Sequence, residues 1–131
     1  GNAAGTQIRI EGGKVLGVSE VGAPAGTFVQ VRQLFFNTPA RRKFMKTINT
    51  EMGHVADTLA SLALGRPEVH FSLSHGGRLV RKWSRSSDPV DRAAAVLGKG
   101  IRRQLFAVDF QDEYLTLAGW IGLPAAARKT A

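Results

Sequence analysis

The chain has 131 residues, 44% of them hydrophobic, with a formal net charge of +8 and no cysteine. Such a length and apolar content suit one ordinary globular core and exclude general disorder. The absence of cysteine excludes a disulfide framework, thiolate catalysis and cysteine metal sites. No apolar run approaches the ~20 residues that cross a bilayer as a helix, and no signal-peptide pattern opens the chain. A cytoplasmic setting without a membrane partner is therefore expected. The charge excess points to a polyanion such as nucleic acid, a solvated basic surface being the plainer alternative.

In chain order, residues 7–11 and 14–20 read as two strands joined by Gly12-Gly13, a pair suited to the positive φ angles of a tight hairpin turn. Residues 22–26 form a loop feeding a third strand, residues 28–34, whose period of two predicts a central strand of an antiparallel sheet. The chain then turns at Asn37-Thr38-Pro39, because the residue before a proline is pushed out of the helical region. Arg41, Arg42 and Lys43 follow as adjacent cations beside Phe44.

Residues 50–64 carry a helical pattern, with Met52, Val55, Ala56, Leu59, Ala60, Leu62 and Ala63 on one broad apolar face. Thr50 or Asn49 is the expected cap, Gly65 the expected left-handed terminator, and Pro67 blocks continuation. A second hairpin, residues 69–74 and 78–84, turns at His75-Gly76-Gly77; Trp83 anchors it with Phe71 and Leu73, while Arg78, Arg81, Lys82 and Arg85 make its outer side basic. Residues 85–89 read as a linker, with Ser87 or Asp88 capping a helix that has Pro89 at its first position and runs through Ala93, Ala94, Val96 and Leu97 to Gly98. Arg102 and Arg103 fall in a loop, residues 105–110 and 114–121 form a last hairpin, and residues 122–131 show no strong pattern.

The run from Gly26-Thr27 through Leu34-Phe35 to Asn37-Thr38-Pro39-Ala40-Arg41 and Lys43-Phe44 resembles the MutL family of DNA mismatch-repair ATPases. Gly5-Thr6-Gln7-Ile8-Arg9-Ile10-Glu11-Gly12-Gly13 and Glu20-Val21-Gly22-Ala23-Pro24 upstream look like the family's preceding hairpin. The Ser74-His75-Gly76-Gly77 hairpin and the Leu115-Thr116-Leu117-Ala118-Gly119-Trp120 strand follow in the family's order. The resemblance covers nearly all the chain. It implies an α+β fold: residues 1–86 as the C-terminal part of a GHKL (Bergerat-type) ATPase α/β sandwich, and residues 87–131 as the start of a transducer domain like domain 2 of ribosomal protein S5. It also implies an internal fragment of a parent that uses ATP and Mg2+, dimerises through its N-terminal region, binds DNA through its phosphates and couples MutS to a downstream endonuclease or helicase near the nucleoid.

Site residues follow from the same likeness. The family's nucleotide pocket uses a helix with Glu and Asn, an Asp-x-Gly-x-Gly segment and a glycine-rich lid, none of which is in this sequence. Gly26 and Thr27 match the last nucleotide motif, where the threonine helps hydrogen-bond the adenine end. Asn37, Thr38, Pro39, Ala40, Arg41, Arg42 and Lys43 match a segment that orders on ATP binding; the alternative is a turn fixed in the core by Phe35, Phe36 and Phe44. Arg81, Lys82, Arg102 and Arg103 are the candidate DNA-phosphate ligands. His54, His70 and His75 lack the spacing of a zinc site, and no nucleophilic triad or carboxylate pair stands out. The fragment itself is expected to bind no nucleotide and to be inactive. The competing reading is a basic, non-catalytic module for nucleic acid or protein.

Overall fold

The computed structural model describes residues 4–127, which divide into two compact units, Gly1–Lys46 and Thr47–Ala131. In the first, β1 (Ala4–Glu11) pairs antiparallel with β2 (Lys14–Gly22), from Ala4↔Gly22 to Glu11↔Lys14. Gly12 at φ +57° and Gly13 at φ +85° make the turn, a left-handed pair that glycine adopts without steric penalty. The register shifts between Arg9 and Ile10, so Leu16 is left over between Gly17 and Val15. No side chain of this ribbon is buried; even Ile8 and Val18 are more than half exposed.

The expected central strand over residues 28–34 does not form. Residues 27–32 are irregular, with Phe28 85% and Val29 78% exposed. A strand exists only through the ladder it shares with a neighbour, and no described strand pairs here. The expected continuous antiparallel sheet is likewise replaced, among the described residues, by three separate two-stranded sheets. The turn before proline is present: Phe36 N–H donates to Gln33 O at 2.9 Å and Thr38 N–H to Phe35 O at 3.1 Å. It leads into a short helix α1 (Pro39–Lys43) with proline at its start, where a missing N–H is harmless.

The second unit opens with α2 (Ile48–Gly65). Its cap is Thr47, whose Oγ1 accepts from Thr50 N–H at 3.3 Å, rather than Asn49 or Thr50. Gly65 is the last helical residue and is not left-handed; Arg66 ends the helix at φ −137°. Pro67 supplies the reason, since its ring excludes the preceding residue from the helical region and so stops the chain one residue later than a glycine cap would. Of the expected apolar face, Ala63 is buried and Met52, Ala56, Leu59 and Ala60 are half-buried, but Val55 and Leu62 remain about half exposed.

Val69 N–H bonds back to Arg66 O at 3.1 Å, so β3 (Phe71–His75) begins two residues later than the pattern suggests. It pairs with β4 (Arg78–Trp83) across Gly76 and Gly77, both left-handed. Asp88 caps α3 (Pro89–Leu97), its Oδ1 accepting from Val90 N–H at 2.8 Å, and Gly98 at φ +105° ends it. Residues expected as loop form a 3-10 helix, Lys99–Gln104. β5 (Leu105–Gln111) and β6 (Thr116–Gly122) close the unit as a regular ladder. β6 starts after Tyr114 and Leu115 because Asp112 Oδ1 accepts from both their N–H groups at 2.8 Å, holding them in the turn. Pro124–Ala126 is a short 3-10 turn, and residues 128–131 of the patternless tail lie outside the described residues.

The core of this unit is small. Among the described residues Ala63 and Trp83 are its buried apolar residues, and Trp83 Nε1–H donates to Ala95 O at 3.2 Å, tying β4 to α3. In the segment 85–89, Ser86 N–H donates to Pro67 O at 2.8 Å, so these residues are tied to the turn after α2.

Candidate functional site

Gly26 sits at φ +134°, a conformation that side-chain-bearing residues rarely adopt, and a Cβ added there would meet nothing within 4 Å. Its backbone is therefore open to close approach by another molecule. Thr27 follows in irregular chain rather than on a strand, and its hydroxyl makes no hydrogen bond among the described residues. The hydroxyl beside this glycine is therefore free to donate one hydrogen bond and to accept others.

The segment from Asn37 to Lys43 is exposed apart from half-buried Thr38. It leans on the first hairpin: a side chain built at Gly12 would find the tip of Phe36 at 3.7 Å and Asn37 Nδ2 at 3.9 Å. The alternative of a core turn fixed by three phenylalanines is not what forms, since Phe36 is 47% and Phe44 77% exposed. Two residues of the preceding turn, Gln33 at φ +49° and Phe35 at φ +63°, are left-handed without being glycine. Each such position carries a cost on the order of 1 kcal/mol. Arg41, Arg42 and Lys43 fill the last turn of α1, where cations suit the helix dipole, and none is ion-paired among the described residues.

The four candidate phosphate ligands are not brought into one patch. Arg81 stands opposite Leu73 and Lys82 opposite Ser72. Cross-strand partners share a face and neighbours alternate, so Arg81 and Lys82 lie on opposite faces of the hairpin. The single basic outer side expected of this hairpin is thereby divided, and the register shift between Leu73 and Ser74 divides it further. Arg81 also donates to Val80 O at 3.1 Å. Arg102 is engaged by Asp88 at 3.5 Å and by Asp91, whereas the exposed Arg103 has no acidic partner among the described residues.

One functional candidate escaped the sequence pattern. Arg92 is 1% exposed, donates from Nη2 to Pro67 O at 2.7 Å and Val69 O at 2.6 Å, and sits over the Phe71 ring with 5.9 Å between its guanidinium carbon and the ring centre. Its Nε and Nη1 have no partner. The available signal was its place four residues before Val96, on the packed face of α3. Among the described residues no cluster of His, Cys, Asp and Glu is arranged to hold a metal, and no helix is long and apolar enough to cross a membrane.

No protein-family model matches the chain. Among solved structures, it is similar to the Aquifex aeolicus MutL ATPase domain complexed with ADP, with 37% identity and a TM-score of 0.70 over 82% of this chain and 42% of that one. It is also similar to the ATPase domain of the bacterial mismatch repair endonuclease Aquifex aeolicus MutL, with 36% identity and a TM-score of 0.63 over 91% and 44% of the two chains. The fold is thus of the α+β class found in GHKL-type ATPase domains.

Curated relatives carry the comparison to a family. DNA mismatch repair protein MutL of Geotalea daltonii is 41% identical over 131 residues, all of this chain and 22% of the relative. The MutL proteins of Geobacter sulfurreducens, at 44% over the same share, and of Anaeromyxobacter sp. (strain K), at 46% over 94% of this chain and 20% of the relative, agree with it. The chain is a partial region of MutL-family sequence, spanning about a fifth of the length of the curated relatives it matches.

Proposed function

We propose that this chain is part of an ATP-dependent, dimerising mismatch-repair protein that couples mismatch recognition by MutS to a downstream endonuclease or helicase on DNA. The observation that carries the reading is the whole-length identity to MutL proteins, joined to a 0.70 TM-score with an ADP-bound MutL ATPase domain. On this reading residues 1–86 complete the GHKL ATPase domain and residues 87–131 begin the transducer domain. The setting is the cytoplasm near the nucleoid.

The nucleotide-facing residues are Gly26 and Thr27. An open left-handed glycine beside an unengaged hydroxyl fits the adenine end of ATP, which offers both a donor and an acceptor. ATP supplies the free energy of the cycle, with Mg2+ as its usual companion; the groups that would hold phosphates and metal belong to the intact parent. Asn37 to Lys43 serve as the nucleotide-dependent switch, and left-handed Gln33 and Phe35 favour that role because strained positions store a preference for rearrangement. DNA is met by phosphate contacts. Arg81, Lys82 and Arg103 are better placed than Arg102, being exposed and free of acidic partners among the described residues, whereas Arg102 is held by Asp88 and Asp91.

In the parent, Thr27→Val removes the hydroxyl at nearly constant volume, and titration calorimetry with a non-hydrolysable ATP analogue should show weaker binding. Unchanged binding there, or a parent that hydrolyses no ATP, would overturn the reading. Association of the chain with a DNA duplex, followed by fluorescence anisotropy, should fall steeply as salt rises. Tight DNA binding by a parent that takes no nucleotide would favour the basic interaction module.

A further inference from the structure

Arg92 is a charged residue almost wholly removed from water, facing two backbone carbonyls and an aromatic ring but no carboxylate among the described residues. Burying a guanidinium without an anionic partner is expensive, and one apolar residue of similar volume would serve simple packing better. What the guanidinium does that an apolar side chain cannot is grip. Its Nη2 holds the carbonyls of both Pro67 and Val69, the two ends of the short turn that follows α2. Ser86 N–H donates to the same Pro67 oxygen, so one carbonyl gathers the turn, the entry to α3 and the body of α3.

At the other side of α3, Asp88 and Asp91 hold Arg102, in the 3-10 helix that also bears Arg103. A set of polar contacts therefore runs from the turn after α2, through Arg92 and α3, to Arg102, the chain neighbour of Arg103. We propose that Arg92 is a positioning strut: it joins the last helix-turn of the ATPase part to the first helix of the transducer part, so that a shift of the turn at residues 66–69 moves the basic 3-10 helix. The unfilled donors Nε and Nη1 make this a joint rather than a locked centre, because the guanidinium keeps spare N–H groups that can donate to other carbonyls when the turn shifts. This inference rests on the division of residues 1–86 and 87–131 made above.

Amide hydrogen exchange on the full 131-residue chain tests it without nucleotide or DNA, so its failure is separable from failure of the mismatch-repair reading. Arg92→Met keeps a long side chain and removes the donors. Exchange at Ser86 N–H and at Ile101 N–H, which bonds Gly98 O at 3.1 Å, should both accelerate at least about tenfold, a loss of the size that charge-assisted hydrogen bonds support. Amides of the β5–β6 ladder should not change. No acceleration, or acceleration at Ser86 without Ile101, overturns the strut. If Arg92→Met unfolds the unit, Arg92→Lys, which keeps the charge and offers a narrower grip, decides: a folded chain with Ser86 and Ile101 both faster upholds the proposal. Uniform loss of protection in both variants overturns it in favour of a general core role.

Discussion

The hairpins at residues 4–22 and 71–83 are built from the same local instructions and reach different ends. Each has a pair of left-handed glycines at its tip and a register shift along its ladder. In the first, Ile8, Ile10, Val15 and Val18 all remain more than half exposed. In the second, Trp83 is 6% exposed and bonded to α3. Turn chemistry closes a hairpin without help, whereas burial requires a second layer, which α3 supplies to the second hairpin and no described residue of its own unit supplies to the first.

Trp83→Ala should therefore have the largest effect, costing about 3–5 kcal/mol by loss of the ring and the cavity left behind. That approaches the entire stability of a small domain. Thermal unfolding followed by tryptophan emission in a Trp120→Phe background, with the corresponding Trp83→Ala chain followed by circular dichroism, should show the cooperative transition of residues 47–131 lost. A preserved transition would mean that the two hairpins are equally self-supporting.

Gly13→Val attacks the turn of the first hairpin. A β-branched residue at φ +85° costs about 1–2 kcal/mol. Cross-strand NOEs such as Ile8 to Val18 should vanish while signals of residues 47–131 stay in place. Asp88→Ala should cost about 1 kcal/mol through the lost cap, read from urea unfolding of the second unit alone. Asp88→Asn keeps a capping oxygen and should recover most of it, which separates the cap from the ion pair with Arg102. Phe28→Ser should change stability by less than about 0.5 kcal/mol, because the ring is 85% exposed, while raising solubility. A large destabilisation there would show that residues 27–32 are covered in solution.

Features governed by a few adjacent residues were legible from the sequence: both glycine-pair turns, the Asp88-Pro89 helix start, and Trp83 as an anchor. Errors of one or two residues arose where a neighbour's backbone chemistry intervened, as when Pro67 set the end of α2 and the Asp112 side chain claimed Tyr114 and Leu115 for a turn. Of the candidate site, Gly26 was offered by the family motif alone, and its φ of +134° is a conformation that suits glycine. The alternation over residues 28–34 was real as a pattern but showed only which residues were suited to burial, not that a partner strand lay beside them. Arg81 and Lys82, adjacent in the chain, looked like one patch until their register placed them on opposite faces.

The order of the residues alone determined where this chain bends and which family it resembles, because turns, caps and motif spacings depend on contacts within a few positions. Only the tertiary structure decided that Arg92 is buried, that Arg102 is held by two acids and that the run after Gly26 pairs with no strand among the described residues. Those outcomes depend on which groups more than 10 residues away arrive to accept a proton, balance a charge or exclude water, as when Arg92 reaches back to Pro67.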